Sequence, residues 1–542
     1  MKNKKMTREE IAMIDIGSTD ISKSNQKLLL VFFLLLMVSA MIIQIIWKED
    51  NEHITNTNFH SETVSAEATS FFTSISNKND KLLTNIKGFE TGIEESSIYR
   101  KTLIPFMQAG LLNVFRTGNE NAWVSKDNFY YKYSNQYLTQ AGFLETQQLN
   151  KRAKEESIQP NPLKAILDFK EKLAKRNIQL VIVPAPPKAA VTLKNDQKLL
   201  NNASYNDFLK FLMQNDIAIC DVFSLVEREK LEADSYLRYD THWSPTVMNA
   251  VSKEIGKLLD SLNIPKGNTI YTKNKLTVSN YGDIVDMLTM EGKDNYFETQ
   301  TVEIEQILED NFLFKPSRQS DILFLGDSYA NIYSLEAMNW GTSAGLSEHI
   351  SMYMQKPVDR IQMNDAGAYV TRLSLSNELK RGKDRLEGKK VVVWEFAARE
   401  LCFGDWKIVP MQLNEDYVSE FFVPEEKTSV TVTGIVSETS NVPIPNTVPY
   451  KDHVVSVHLT AMKDIGTGKE LGESVVYLSS MKDNVWTAAA RLRNGQKVTI
   501  TLHDWNTFSD RYGAMNRSEL QDDELSFADP CWGILKINNH KE

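Results

Sequence analysis

DILFLGDSYA, Asp321 to Ala330, contains the strand that decides the fold. Ile322 to Leu325 is a continuous apolar run, too short for a core helix and bounded by an aspartate and a glycine; such a run reads as a strand buried on both faces of a parallel sheet. The Gly-Asp-Ser turn that follows puts Ser328 at the carboxyl end of that strand, where the crevices of open α/β sheets lie. The same grammar recurs outward. AILDFKEKLAKRN (165–177) sets Ile166, Phe169 and Leu173 at helical spacing and runs straight into the β-branched IQLVIVP (178–184). The pattern repeats in YNDFLKFLMQN then IAICDVF (205–223), and beyond the serine in LSEHISMYMQ, VDRIQM and VVVWEF (391–396). Helices alternating with buried strands predict an α/β domain with a doubly wound parallel sheet.

Some eighty residues before Ser328 stands YDTHWSP (239–245). On an extended segment residues i and i+2 project to one side, so Asp240 and His242 enter the same cleft with Thr241 turned away. A serine hydroxyl is a poor nucleophile at neutral pH; it needs a base within hydrogen-bond reach and that base needs a carboxylate to fix its tautomer. Ser328, His242 and Asp240 supply these three roles. Each piece alone fits a hydrogen-bonded core histidine and an ordinary strand-ending turn equally well.

The chain of 542 residues is long enough for two or three domains. Its net charge of −10 is spread out with no basic stripe, which argues against a nucleic-acid partner. Residues 28–47, LLLVFFLLLMVSAMIIQIIW, form an uncharged apolar run of bilayer length. Six lysines and arginines precede it and Glu49, Asp50 and Glu52 follow, so the positive-inside rule leaves 1–27 in the cytoplasm and exports the rest. An uncleaved anchor is the expectation; the rival is a signal peptide cut after Val38-Ser39-Ala40. Polar residues 48–97 read as a spacer, 98–410 as the α/β domain.

From 411 to 542 the grammar changes to period-two runs, SVTVTGIV, HVVSVHL, SVVYLSS and QKVTITLHDW, which predict a small all-β domain. Trp486, Trp505, Tyr512 and Trp532 give it aromatics that serve either as core or as a platform for sugar rings. The three cysteines show no CxxC pair, so no metal site is expected. Cys220 lies in an apolar run; Cys402 and Cys531 are candidates for a disulfide tying the two domains together.

Taken together, NAWVSKDNF, YLRYDTHWSP, NYGDIVDML, FLGDSYA, VDRIQMNDAGA and VVVWEFAARELCFGDWK resemble the exported polysaccharide O-acetyltransferases of the alginate O-acetylation type, whose domain is a permuted SGNH-hydrolase fold with Asp-x-His upstream of the serine. The resemblance implies Ser328 as acetyl acceptor, His242 as base and Asp240 as orienting carboxylate. It further implies the backbone N–H groups of Ser328 and Gly367 as an oxyanion hole, with Asn364 nearby and unassigned. Glu395 and Arg399 are candidates for lining the cleft, the competing role being a structural salt bridge. No metal or bound cofactor is implied. The implied partners are a polysaccharide acceptor and a multispanning membrane acyltransferase as donor, with the α/β domain periplasmic or otherwise extracytoplasmic at the inner membrane. The rival functions are an acetylesterase using the same residues and a catalytically silent polysaccharide-binding scaffold.

Overall fold

The computed structural model describes residues 22–46, 98–125, 128–156, 158–195, 198–290, 292–364, 367–445, 448, 450–520, 522, 525 and 528–536. Most of the expected cytoplasmic segment and the spacer lie outside the described residues. Gln108–Glu542 forms one compact unit.

Five strands make the central sheet: β1 (Gln179–Ala185), β2 (Ala218–Ile219), β3 (Ile322–Gly326), β4 (Asp359–Gln362) and β5 (Val391–Ala397). Their order is β4-β3-β5-β1-β2 and every pairing is parallel. The apolar runs sort by parity, because successive side chains of a strand point to opposite faces. Val181, Val183, Ile322, Phe324, Val391 and Val393 enter one core; Leu180, Ile182, Leu323, Leu325, Val392 and Trp394 enter the other. Helix α1 (Pro162–Ala174) covers the second core with Ile166, Phe169 and Leu173. Helices α2 (Pro245–Ser261) and α3 (Leu346–Met354) cover the first with Val251, Ile255, Leu346 and Ile350. Helix α4 (Val370–Lys380) returns to the second with Leu375 and Leu379. Helices on both faces make the sheet doubly wound, as the alternation predicts.

Two local features place the site. Ser244 caps α2 by accepting the Val247 N–H at 3.2 Å and Pro245 opens its first turn, so YDTHW is held as an irregular approach to a helix start. An antiparallel hairpin, Tyr271–Asn280 with Gln300–Glu309, leaves the sheet and brings the NYGD segment at its tip back over that approach.

The C-terminal strands are β6 (Ser429–Thr439), β7 (His453–Asp464), β8 (Glu470–Lys482), β9 (Val485–Trp486), β10 (Lys497–Asp504), β11 (Arg517–Ser518) and β12 (Pro530–Leu535). They run in the order β9-β8-β12-β10-β6-β7-β11, and β7 also pairs with β8. That extra pairing closes five strands into a barrel and removes their free edges. Val432, Val457, Val476, Ile500 and Cys531 fill its interior. Tyr512 and Trp532 stack face to face at 4.1 Å, and Phe508 stacks on Trp532, so most of the surplus aromatics are spent on one another. The C-terminal end of α4 is tied to the barrel: Arg381 donates to the Ala528 carbonyl at 2.8 Å, and Lys383 pairs with Asp529 at 3.0 Å.

The expected disulfide is not there. Cys402 is buried in the core of the α/β sheet and Cys531 inside the barrel, both as free thiols. Cys531 instead sits 3.2 Å from the Ser474 hydroxyl, while Cys402 receives a long contact from the Asn202 amide. Each acts as a small apolar residue of its own core.

The N-terminal apolar run lies on a helix, Lys23–Ile46, whose side chains from Leu28 to Leu35 are exposed. Among the described residues no helix is long and apolar enough to cross a membrane.

Candidate active site

Ser328 begins a four-residue helix at the end of β3, and His242 lies on the approach to α2. The fold brings them together: His242 Nε2 is 2.8 Å from Ser328 Oγ, and His242 Nδ1 is 2.6 Å from Asp240 Oδ1. An ionised carboxylate can only accept, so Nδ1 carries the proton and Nε2 is left to accept from the serine hydroxyl. All three side chains are buried, and Ser328 keeps 9% of its surface exposed, enough to be reached.

Asp240 is held from four directions. Its Oδ1 accepts the His242 backbone N–H and ring; its Oδ2 accepts the Trp340 indole at 2.8 Å and the Asp283 backbone N–H at 3.2 Å. Burial pushes its pKa up, but the bonds from His242 and Trp340 outweigh that and hold it below the usual aspartate value. Burial alone would lower the His242 pKa; the hydrogen bond and charge of Asp240 overcome this and leave it raised. The result is a stronger base than a free imidazole.

Several supporting residues were not assigned roles by the sequence. Asp283 accepts the Thr241 N–H at 2.8 Å and the Thr241 hydroxyl at 2.5 Å, fixing the residue between the pair. Burial and the neighbouring Asp240 charge push its carboxyl up to about 7. Gly282 before it has φ +92°, and a Cβ there would stand 2.4 Å from the Tyr239 carbonyl oxygen. Only glycine lets the hairpin tip approach this closely. Lys188, fully buried after β1, donates to the carbonyls of Leu237, Arg238 and Asp240, and burial pushes its pKa down to about 7. The signals were the glycine of NYGD and a lysine within the apolar VPAPPKAAV, but their partners are distant in sequence.

The nucleophile turn is braced separately. Asp327 accepts from the Tyr329 N–H and the Ala397 N–H, both at 2.8 Å, and donates its own N–H to Glu395 Oε2 at 2.9 Å. Glu395 is therefore not a cleft-lining substrate contact: it is 1% exposed under the turn, with its pKa well above the usual range through burial and the Asp327 charge. Neither does it pair with Arg399. Arg399 is 4.0 Å from Glu400, lies over the Tyr131 ring, and its charge acts on Tyr329 and His242. Gly367 sits in the turn after β4 with φ +61°. Asn364, just before it, accepts from the Asn331 amide at 2.7 Å, which fixes its flip and leaves its own NH₂ to donate elsewhere. As the first residue of its helix, Ser328 has a backbone N–H with no intrahelical partner.

Asp240, His242 and Asn364 line a cavity of about 40 Å³ together with Asp283 and, from the barrel, Tyr450, Lys451 and Asn516. Asp240, His242 and Asp283 offer ligand atoms within 4.8 Å of one another. These atoms are engaged with each other and with Thr241, an arrangement that serves proton transfer rather than metal binding. The chemistry on offer is attack by an activated hydroxyl on an acyl carbonyl.

The family described as "SGNH hydrolase-like domain, acetyltransferase AlgX" matches residues 143–398, a span that holds all three side chains of the relay. Over that span, a little under half of the chain, the protein is similar to that family. A probable alginate O-acetylase AlgJ of Azotobacter vinelandii is 24% identical over 132 residues, covering 23% of this chain and 34% of that one. The chain thus spans about a third of the length of that relative. Among solved structures, the O-acetyltransferase domain of Pseudomonas putida AlgJ overlaps at TM-score 0.39 and 18% identity, covering 53% of this chain and 92% of that one. Pseudomonas aeruginosa AlgX overlaps at TM-score 0.37 and 13% identity, covering 72% and 92%. The matched span ends at 398, before the barrel begins.

Proposed function

We propose that the protein is a polysaccharide O-acetyltransferase working through an acetyl-Ser328 intermediate. One observation carries this reading: a Ser–His–Asp relay at 2.8 and 2.6 Å inside the span that matches the AlgX acetyltransferase family. Ser328 Oγ attacks the acetyl carbonyl of a donor while His242 Nε2 takes its proton. The tetrahedral oxyanion meets the Ser328 N–H, with the Gly367 N–H and the Asn364 amide as further donors, and collapse expels the donor's leaving group with the proton from His242. A sugar hydroxyl then gives its proton to His242 and attacks the acetyl-serine, releasing the O-acetylated sugar and free Ser328. Arg399, beside the relay, is the remaining candidate for a substrate contact. The cationic leader followed by an exposed apolar helix supports an anchor in the inner membrane with the relay on the outer side, where acetyl groups would be handed on by a multispanning acyltransferase.

The test is the purified full chain in detergent, given a small acetyl ester with and without oligosaccharide acceptors. Mass spectrometry should find acetyl on the Ser328 peptide and then on the sugar. Acetate alone, in every acceptor tried, would make the protein an esterase. Full function of Ser328→Ala in cells would make it a scaffold.

A further inference from the structure

A second and larger cavity, of about 370 Å³, lies between α4 and the barrel. Its volume falls in the range of ligand sites, roughly 300–1,000 Å³. The proposed acetyl transfer makes no use of it. Three observations say what it would hold.

The first is an orphaned acceptor. Asp504 at the end of β10 lines the cavity and is 6% exposed. Its Oδ1 accepts from the Asn506 amide at 3.0 Å, but its buried Oδ2 has no hydrogen-bond partner. A buried carboxylate oxygen without a donor is costly, and a ligand hydroxyl would satisfy it.

The second is a rigid aromatic wall. Phe421, Tyr477 and Trp505 line the barrel side. The Arg517 guanidinium lies 4.4 Å from the Tyr477 ring and 5.7 Å from that of Trp505, and is itself pinned to Glu519 at 2.6 Å. Tyr477 meets Trp505 edge-on at 5.0 Å. Trp505 is half-buried, so it offers an apolar, pre-set surface to an apolar ring face.

The third is charge. The lining carries four cations, Arg318, Arg381, Lys383 and Arg517, and four carboxylates, Glu378, Asp504, Glu519 and Asp529; Arg318 meets Glu378 at 3.1 Å, Arg381 and Lys383 share Asp529, and Arg517 meets Glu519. The lining therefore has no net charge to draw in a carboxylated ligand, and the unpartnered Asp504 carboxylate would repel one. A ring with hydroxyls and no charge fits.

The cavity also adjoins the relay. Met363 and Arg517 line it, while their chain neighbours Asn364 and Asn516 line the catalytic cleft, so adjacent residues of two segments form the partition.

We propose that this cavity is an acceptor subsite for an uncharged glycosyl unit, stacked on Trp505 and hydrogen-bonded to Asp504, and hence that the polymer acetylated is a neutral glycan rather than a polyuronate. The proposal rests on the transferase reading for its role and stands apart from it as a binding site. Calorimetry on the detergent-solubilised full chain tests it with hexasaccharides: cellohexaose, maltohexaose and N-acetylchitohexaose as neutral probes, and hexamannuronate as the charged one. The expectation is binding of at least one neutral probe, no binding of the uronate, and at least tenfold weaker neutral binding in Trp505→Ala. Asp504→Asn, which keeps the shape and removes the charge, serves as a second variant should Trp505→Ala fail to fold, and should weaken neutral binding several-fold. Ser328→Ala should bind the neutral probe as the wild type does, so loss of the acetyl-enzyme and loss of the subsite read separately. Absence of neutral binding, tighter binding of the uronate, or wild-type affinity in both cavity variants overturns the proposal.

Discussion

The two neighbouring cavities differ in how their carboxylates are satisfied, although the Asn516 amide of the catalytic one is also buried with an unpartnered Nδ2. In the catalytic cleft the carboxylate of Asp240 takes four hydrogen bonds, Asp283 takes two and His242 is engaged at both ring nitrogens, all from within the chain. In the larger cavity Asp504 keeps a buried oxygen with no donor. A group that must move protons is best fixed in advance, because reorganisation at the moment of reaction adds to the barrier. A group that must recognise a visitor gains from being left incomplete, because the visitor completes it. The contrast makes opposite predictions for substitutions on the two sides of one thin partition.

The largest effect belongs to the relay. Ser328→Ala should lower transfer by roughly 10⁴-fold or more, with no acetyl retained on the protein. Asp240→Asn should cost roughly 10³–10⁴-fold in kcat, because the amide can donate to His242 Nδ1 and so favour the wrong tautomer. Rapid-quench measurement of the acetylated protein checks both. Near-normal turnover in Asp240→Asn would mean that the tightly bonded carboxylate only holds the loop.

How much of this was legible beforehand follows from the range of the forces involved. The five strands and the pairing of Asp240 with His242 were readable because parity and turn residues act over a few positions. Ile322 to Leu325 states its double burial in its composition alone. Asp283 and Trp340 were not readable as ligands of the same region, since their bonds to it span about forty and a hundred residues and depend on a hairpin folding back. Glu395 was misplaced for a related reason: its parity puts it with Val393 on an inner face, and the sequence does not say that the Asp327 N–H waits above it. The disulfide failed because barrel closure sends Cys531 inward, an outcome set by β7 meeting β8.

Lys188 sharpens the comparison through stability. Three carbonyls of the Asp-x-His approach depend on its ammonium. Lys188→Met keeps the length and packing but orphans them, and should destabilise the protein by about 3 kcal/mol by denaturant unfolding. Loss of activity should accompany it, since the loop carries both His242 and Asp240. An unchanged unfolding midpoint would show that solvent replaces the lysine.

Asp283 offers a smaller shift with a defined sign. Its negative charge helps to raise the His242 pKa above 6.5, and only neutral His242 can act as base. Activity in the wild type should therefore fall as pH drops through a value above 6.5. The Asp283 carboxyl is itself pushed up to about 7 and loses its charge below that, so Asp283→Asn should move the upper part of the acid limb of kcat/KM to lower pH, with the two profiles converging towards pH 6. A limb moving upward would mean that Asp283 acts mainly by positioning Thr241.

The smallest effect is the one that runs the other way. Asp504→Asn keeps the oxygen that accepts from Asn506 and removes the charge whose second oxygen is unpaired. Relief of a buried, unpartnered charge should stabilise the sugar-free protein by about 1 kcal/mol, read as a higher denaturant midpoint. The same removal of charge from Asp240 should destabilise, because there the charge is met by His242 and Trp340. Two aspartate-to-asparagine changes of opposite sign would mean that the Asp240 carboxylate is complete without a ligand and the Asp504 carboxylate is left incomplete for one. Destabilisation at both would mean that Asp504 already has a partner in solvent, and the difference between the cavities would reduce to size.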